Sequence, residues 1–235
     1  MRSQSNEDFI KTIYLIQENQ QGHSVSTSSL AAHLGIANAS VTGMLKKIAS
    51  EDPKLINYEP YRGVILTKTG EKIALEIIRH HRLLETYLSE KLGYSWDEVH
   101  DEADRLEHVI SEEMEERIAN SLGNPIVDPH GDPIPDREGN FHQPTFVLLS
   151  EIPVGHPVEI CRVIGQEPDL LRYLAESGLI LSSQIIVTIK APFSGPITIR
   201  LMGSQEPQIA LSREIADKIF VMPKANTVLE VSYEQ

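Results

Sequence analysis

Two short helical segments joined by a glycine turn, with an alternating strand pair directly behind them, constrain this chain's fold most tightly. Ser26 to Leu34 opens with a hydroxyl cap, and Gly35 closes it. Asn38 to Ile48 follows after a turn of about three residues and is again opened by a capping residue, so the pair reads as a helix-turn-helix. Leu55 to Thr67 then alternates across a turn at Arg62-Gly63, the pattern of a β-hairpin wing. Ahead of both, Phe9, Ile10, Ile13, Tyr14 and Ile16 recur at helical spacing. Helix-turn-helix plus wing within about 70 residues predicts a winged DNA-binding module.

A net charge of −13 is awkward for a nucleic-acid binder until it is divided along the chain. Residues 1–70 carry +1, residues 71–142 carry −11 and residues 143–235 carry −3. These three segments are the expected domains, and 235 residues suffice for two or three. The acidity therefore sits outside the DNA-binding segment, where a bound cation would relieve it. Cys161 is the only cysteine, which excludes an internal disulfide and a cysteine-rich zinc site and fits a reducing cytoplasm. The longest apolar run, Gly178 to Ile189, is interrupted by Ser182-Ser183-Gln184 and falls short of the roughly 20 residues of a membrane span, so no membrane association is expected. No signal peptide is evident at the N-terminus.

The middle segment is helical in pattern, with one helix over about Thr69–Leu88 and another over about Ser95–Leu122. Exposed apolar faces on such a pair suit dimerisation. Within the second, His100, Asp104, Glu107 and His108 project at about 0°, 40°, −20° and 80° on an ideal helix, one face roughly 100° wide. Two imidazoles with hard carboxylates suit a divalent ion such as Mn²⁺, Fe²⁺, Co²⁺, Ni²⁺ or Zn²⁺; a solvated acidic surface is the other reading. A Pro/Gly-rich linker, Asn124 to Asp136, follows, and its His130 reads as loop packing. Short β-rich segments then recur at 145–149, 158–163, 185–189, 196–201, 208–211 and 218–222, with one helix at Pro168–Ala175, the pattern of a small β-barrel. The fold class is thus α+β and multidomain.

This order of modules resembles the diphtheria toxin repressor family of metal-dependent transcription regulators across essentially the whole chain. The resemblance is most specific at Glu7-Asp8-Phe9-Ile10, Tyr61-Arg62-Gly63, His80 to Glu85, His100 to His108 and Gly131 to Pro135. It implies a helical dimerisation domain, a C-terminal SH3-like domain similar to ferrous transport protein A, and a homodimer on double-stranded operator DNA that represses metal-homeostasis genes. It implies two ions per subunit: a regulatory site at Asp8, Asp104, Glu107 and His108, and an ancillary site at His81, Glu85 and His100 with Glu167 from the SH3-like domain. Iron-responsive members carry sulfur where this chain has Asp8 and Asp104, so the all-oxygen and nitrogen set favours Mn²⁺, with Fe²⁺ the alternative. Short manganese-type members carry a carboxylate where this chain has Lys11, which puts their paired-metal site in doubt. A further SH3-domain ligand position falls near Leu170, where Asp169 or Gln166 could substitute.

For DNA, Asn38 to Ser50 would be the recognition helix, with Asn38 at its start, Ser40 and Thr42 reaching bases or phosphate, and Lys46 and Lys47 neutralising phosphate. Ser28 and Ser29 would offer hydroxyls and amides to phosphate, and Arg62 would extend from the wing. Two other classes remain: a winged-helix regulator sensing an organic ligand, and a metallohydrolase. The second lacks a His-Glu-x-x-His motif, a nucleophile elbow and a phosphate loop.

Overall fold

The computed structural model describes residues 3–20, 22–140, 145–165, 167–203 and 208–223. Where the sequence suggests three segments, the chain forms two compact units. The first comprises Met1–Leu84, Ala103–Ile126 and Ile134–Phe141, the second Glu85–Glu102, Val127–Pro133 and His142–Gln235.

The first unit opens with α1 (Gln4–Asn19), α2 (Thr27–Leu34) and α3 (Asn38–Ala49). Phe9, Ile10, Ile13 and Ile16 give α1 one apolar face, which joins Leu30 of α2 and Val41, Leu45 and Ile48 of α3 in a single buried core. Ser26 caps α2 as expected, its Oγ accepting the Ser29 amide at 3.0 Å, and Gly35 ends it in the left-handed conformation at φ 64°. At α3 the expectation fails. Ala37, not Asn38, is the N-cap, with no side-chain hydrogen bond, while Asn38 is already helical and its carbonyl accepts the Thr42 hydroxyl at 2.9 Å.

The wing is β1 (Ile56–Glu59) against β2 (Gly63–Leu66), antiparallel, with Ile56 opposite Leu66 and Glu59 opposite Gly63. Val25 adds a third pairing, exchanging hydrogen bonds of 2.8 and 2.9 Å with Val64. Gly63 permits this: its φ is 97°, and a Cβ there would stand 2.5 Å from the Val25 carbonyl oxygen. α4 (Lys68–Leu92) leaves the wing and contributes Ile73, Ala74 and Ile77 to the same core.

The second helix expected in the middle segment is broken. α5 spans Val99–Leu106 and α6 spans Glu112–Ser121. Ser111 causes the restart, since its Oγ accepts the Met114 amide at 3.2 Å and caps a new helix. Glu107 and His108 therefore lie in the turn between helices, and the ideal-helix projection holds only for His100 and Asp104.

In the second unit, β3 (Val147–Leu148), β4 (Pro157–Val163), β5 (Gln184–Lys190), β6 (Ile197–Leu201), β7 (Ile209–Leu211) and β8 (Ile219–Pro223) form one antiparallel sheet in the order β3-β8-β4-β5-β6-β7. Bulges at Ile160/Arg162 and Val187/Ile189 bend the strands. The core beneath them includes Ile160, Ile185, Val187, Ile199 and Val221, with Leu171 and Leu174 from α7 (Pro168–Glu176). The sequence pattern misses a four-residue helix, α8 (Arg213–Ala216), capped by Ser212. Trp96 packs against this core and donates its indole N–H to the Leu171 carbonyl at 3.2 Å. Among the described residues no helix is long and apolar enough to cross a membrane.

Two glycines separate conformation from space. Gly43 is helical, and a methyl group added to it would find nothing within 4 Å, so Gly43→Ala is expected to stabilise the protein by about 0.5–1 kcal/mol. Gly63→Ala meets both positive φ and the Val25 carbonyl, and should lower stability by roughly 2 kcal/mol or more. Urea unfolding midpoints check both, and equal shifts in one direction would contradict this account of the wing.

Candidate metal centre

Asp8 sits on α1, two helical turns before Ile16 in the buried face, while Glu107 and His108 emerge from the turn that ends α5. One ligand atom from each of Asp8, Glu107 and His108 lies within 4.8 Å of the others. His108 Nε2 stands 2.8 Å from Asp8 Oδ1 and 3.2 Å from Glu107 Oε1, and its Nδ1 is 2.8 Å from Glu7 Oε2. Nothing in the sequence singles out Glu7 as part of a site. Its carboxylate is placed to accept a hydrogen bond from His108 Nδ1, which turns Nε2 toward Asp8 and Glu107, the outer-carboxylate arrangement that orients metal-ligating histidines. The donors are two carboxylates and one imidazole with no sulfur, so the residues fit a hard or borderline divalent ion.

Glu107 has a second face. Its side chain is almost fully buried, and Oε2 is 2.6 Å from His81 Nδ1 and 2.7 Å from Lys11 Nζ. The Lys11 ammonium also reaches Asp104 Oδ1 at 3.0 Å and His81 Nδ1 at 3.1 Å, and His81 Nδ1 is 3.2 Å from Asp104 Oδ1. Three metal-competent groups thus converge on an amino group of the protein itself. Burial would push Glu107 up, but hydrogen bonds from His81 and Lys11 and their charges outweigh it and hold the carboxyl below the usual range. Asp104 is held below its usual range against burial by the same two residues. Asp8 moves the other way, raised by burial and by Glu107 despite the nearby His108.

The expected regulatory set is therefore divided. Asp8, Glu107 and His108 gather on one side of the Glu107 carboxylate, and Asp104 stands on the other with Lys11 and His81. Of the expected ancillary set, His81 belongs to the first unit and faces Glu107. Glu85 and His100 belong to the second, where His100 Nδ1 donates to Glu85 Oε1 at 3.1 Å. Glu167 is exposed at the N-cap of α7, with Oε1 3.1 Å from Lys218 Nζ. Asp169 pairs with Arg172 at 2.9 Å, Leu170 packs on the core, and Gln166 lies outside the described residues.

Behind this centre, His80 donates from Nδ1 to the Glu107 carbonyl at 3.1 Å and from Nε2 to Glu115 at 3.2 Å. A carbonyl and a carboxylate both favour a donating ring, and the pKa of His80 is raised against the effect of burial. Glu115, bonded by His80 and by Arg79 Nε at 2.6 Å, is pulled down to about 2.

On the helix expected to read DNA, α3 buries Val41, Leu45 and Ile48 and exposes Asn38, Ala39, Ser40, Gly43, Lys46 and Lys47. Thr42 is half-buried and its hydroxyl proton goes to Asn38. Ser28 is exposed, whereas the Ser29 amide is already taken by Ser26. Arg62 is exposed on the wing and pairs with Glu59 at 3.1 Å. The adjacent Tyr61, in the left-handed region at φ 66° and fully exposed, presents an aromatic ring that is not among the contacts expected for DNA.

Comparison with known proteins places these features in one context. Residues 1–64 match the profile of the iron-dependent repressor N-terminal DNA-binding domain. Residues 67–136 match the iron-dependent repressor metal-binding and dimerisation domain, and residues 147–223 match the FeoA domain. The iron-dependent repressor IdeR of Mycobacterium tuberculosis is 29% identical over 227 residues, covering 92% of this chain and 95% of that protein. The HTH-type transcriptional regulator MntR of Bacillus subtilis is 35% identical over 118 residues, covering 50% of this chain and 80% of that protein. A solved manganese-dependent transcriptional repressor in complex with manganese is 35% identical with a TM-score of 0.81, covering 93% of this chain and 99% of that one.

Two outcomes test the electrostatics. Lys11→Met leaves a buried Glu107 face without its ammonium, so in chelator it should lose roughly 2–4 kcal/mol of unfolding free energy, part of it recovered with Mn²⁺; an unchanged urea midpoint would contradict the role of Lys11. Glu115 is depressed from 4.5 to about 2, so its contribution is present above pH 4.5 and lost as pH falls toward 2. His80 is raised from 6.5, so its contribution is present below pH 6.5 and lost as pH climbs through the raised value. The stability advantage of wild type over Glu115→Gln should therefore peak between pH 4.5 and 6.5, at about 2–3 kcal/mol, and a difference flat from pH 2 to 9 would refute the pairing.

Proposed function

The chain belongs to the iron-dependent repressor family, related to the diphtheria toxin repressor, and from that premise we propose that it is a metal-dependent transcriptional repressor that binds operator DNA as a homodimer when loaded with Mn²⁺. The observation that carries this reading is the convergence of Asp8 on Glu107 and His108. Residues 1–70 serve as the DNA-binding domain, 71–142 as the metal-binding and dimerisation domain and 143–235 as the SH3-like domain, in a protein working in the cytoplasm. It is a switch and not an enzyme.

Asp8, Glu107 and His108 would hold the ion, with Glu7 orienting His108. When bound, the ion supplies the positive charge that lets Asp8 and the buried Glu107 stand together ionised. The consequence lies in α1. Phe9 and Ile10, next to Asp8, belong to the same core as Leu45 and Ile48 of α3. Fixing Asp8 therefore fixes the helix against which the recognition helix packs. In a dimer this presets the separation of two α3 helices on a two-fold operator and lowers the entropic cost of docking.

The outward face of α3 suits the groove. Ala39, Ser40 and Gly43 are small and allow close approach, while Lys46, Lys47 and Arg62 would neutralise phosphates, and Asn38, Thr42, Ser28 and Ser29 are the further candidates for contact. The metal preference follows from the donors. Oxygen and nitrogen with no sulfur favour Mn²⁺, and the same set accepts Fe²⁺, the alternative favoured by the likeness to an iron-dependent repressor. Lys11 already occupies the second face of Glu107, so this centre takes one ion.

Selection from a random-sequence duplex library in Mn²⁺, followed by titration of the selected duplex, tests the reading. Wild type should bind at least 10-fold more tightly with Mn²⁺ than with chelator, His108→Ala should lose that gain, and Glu7→Gln should shift the Mn²⁺ midpoint 10- to 100-fold upward. Equal affinity in metal and chelator would overturn it.

A further inference from the structure

The wing is held along its outer edge, and one of its holders is a side chain. A two-stranded hairpin alone is marginal in water, and backbone groups on a free edge need partners. Val64 turns its N–H and carbonyl to the outer edge of β2, where both bond Val25. Leu66, two residues on, presents its N–H on the same edge, and Gln17 Oε1 accepts it at 3.0 Å. At the tip, Ser24 Oγ donates to the Arg62 carbonyl at 2.9 Å. The edge is thus met by Ser24 and Val25 ahead of α2 and by one residue of α1. A backbone N–H requires an acceptor, so the Gln17 amide is oriented with its oxygen toward Leu66.

Gln17 lies near the end of the helix that carries Asp8 near its start. Nine positions separate them, which is about 14 Å along the helix axis and about 180° around it. Asp8 faces Glu107 and His108, and Gln17 faces β2. Between them Phe9, Ile10, Ile13 and Ile16 are locked into the core shared with α3, so α1 moves as one piece. A restraint on Asp8 is therefore a restraint on the acceptor that Leu66 needs. Val25 takes no part in this, because it lies outside α1 and holds the wing by its middle.

We propose that Gln17 is a positioning residue for DNA binding, tying the wing to α1 so that an ion at Asp8 sets the wing as well as the recognition helix. This role rests on the regulatory reading above and adds a second route from metal to DNA, outside the apolar core. Arg62, exposed at the wing tip, is the group that this route delivers. With the Gln17 bond in place, its guanidinium is held at a fixed offset from α3 and meets phosphate without first ordering the wing. Without the bond, the wing keeps its Val25 pairing and its fold, but its base is free to shift, so docking carries an added entropic cost. In metal-free protein α1 is itself unfixed, and the bond confers no advantage on the duplex. Reach and chemistry decide which residues serve at position 17. A carboxylate of the same length accepts the Leu66 N–H equally, whereas an amide one methylene shorter falls short of it.

Full-length protein and the Mn²⁺-selected duplex provide the test, titrated in Mn²⁺ and in chelator at several salt concentrations. Gln17→Asn should match wild type in binding Mn²⁺ alone and in binding duplex in chelator, yet lose about 3- to 10-fold of the Mn²⁺-dependent gain. Its salt dependence in Mn²⁺ should fall by about one phosphate contact, as it should in Arg62→Ala. Combining Gln17→Asn with Arg62→Ala should cost no more than Arg62→Ala alone, since both act through one contact. Gln17→Glu should keep the gain and the salt slope of wild type. A bond that serves only the fold predicts another pattern: weaker duplex binding in metal and chelator alike, adding to the loss in Arg62→Ala. That pattern, or a Gln17→Asn protein with the full gain, would overturn the role of Gln17. Failure of the regulatory reading shows separately, as wild type binding the duplex equally in metal and in chelator, and it removes both.

Discussion

The carboxylate of Glu107 is the point on which the first unit turns. It is nearly inaccessible, yet its two oxygens face two differently charged surroundings: His108 and Asp8 on one side, His81 and Lys11 on the other. A buried carboxylate is tolerated only where opposite charge and hydrogen bonds meet it. The Lys11 ammonium and the His81 ring meet one oxygen with donors from within the unit. The other oxygen shares its space with Asp8, whose pKa is raised, and this is the side where added positive charge has most to gain. One side chain thus separates a face with a built-in cation from a face that calls for a borrowed one.

That asymmetry reaches the DNA surface through ordinary packing. Asp8 and Lys11 are one turn apart on α1, and the apolar residues between and beyond them, Phe9, Ile10 and Ile13, are core partners of α3. Whatever fixes the polar side of α1 also fixes its apolar side. The recognition helix needs no direct contact with the ion, because close-packed interiors transmit displacement without much compliance. The wing is anchored separately, through Val25 and the space left by Gly63.

Much of this is legible in the sequence, and the failures have physical causes. The helix-turn-helix, wing and β-rich segments are visible because their periodicities are local. The single helix expected over 95–122 is not one helix, because Ser111 as an N-cap competes with apolar spacing that runs through it. The break matters, since it frees Glu107 and His108 from the helical face and lets them turn to α1. Glu7 escapes sequence reasoning although it adjoins Asp8; the pairing of its carboxylate with His108 joins residues 101 positions apart and leaves no periodic trace. His130 reads as loop packing for the same reason: Glu85, Trp96 and Val163 meet it only in three dimensions. Lys11 stands out in the sequence as a departure from the family pattern, but only the structure shows its amino group among His81, Asp104 and Glu107.

If a single ion at Asp8, Glu107 and His108 couples metal to DNA, the coupling is reciprocal. The most direct measurement is the Mn²⁺ dissociation constant of the wild-type dimer by calorimetry, alone and in saturating selected duplex. The account predicts that duplex tightens Mn²⁺ binding by the same factor by which Mn²⁺ tightens duplex binding, and that the factor falls to one in Asp8→Ala. A Mn²⁺ affinity that is indifferent to bound duplex would contradict it.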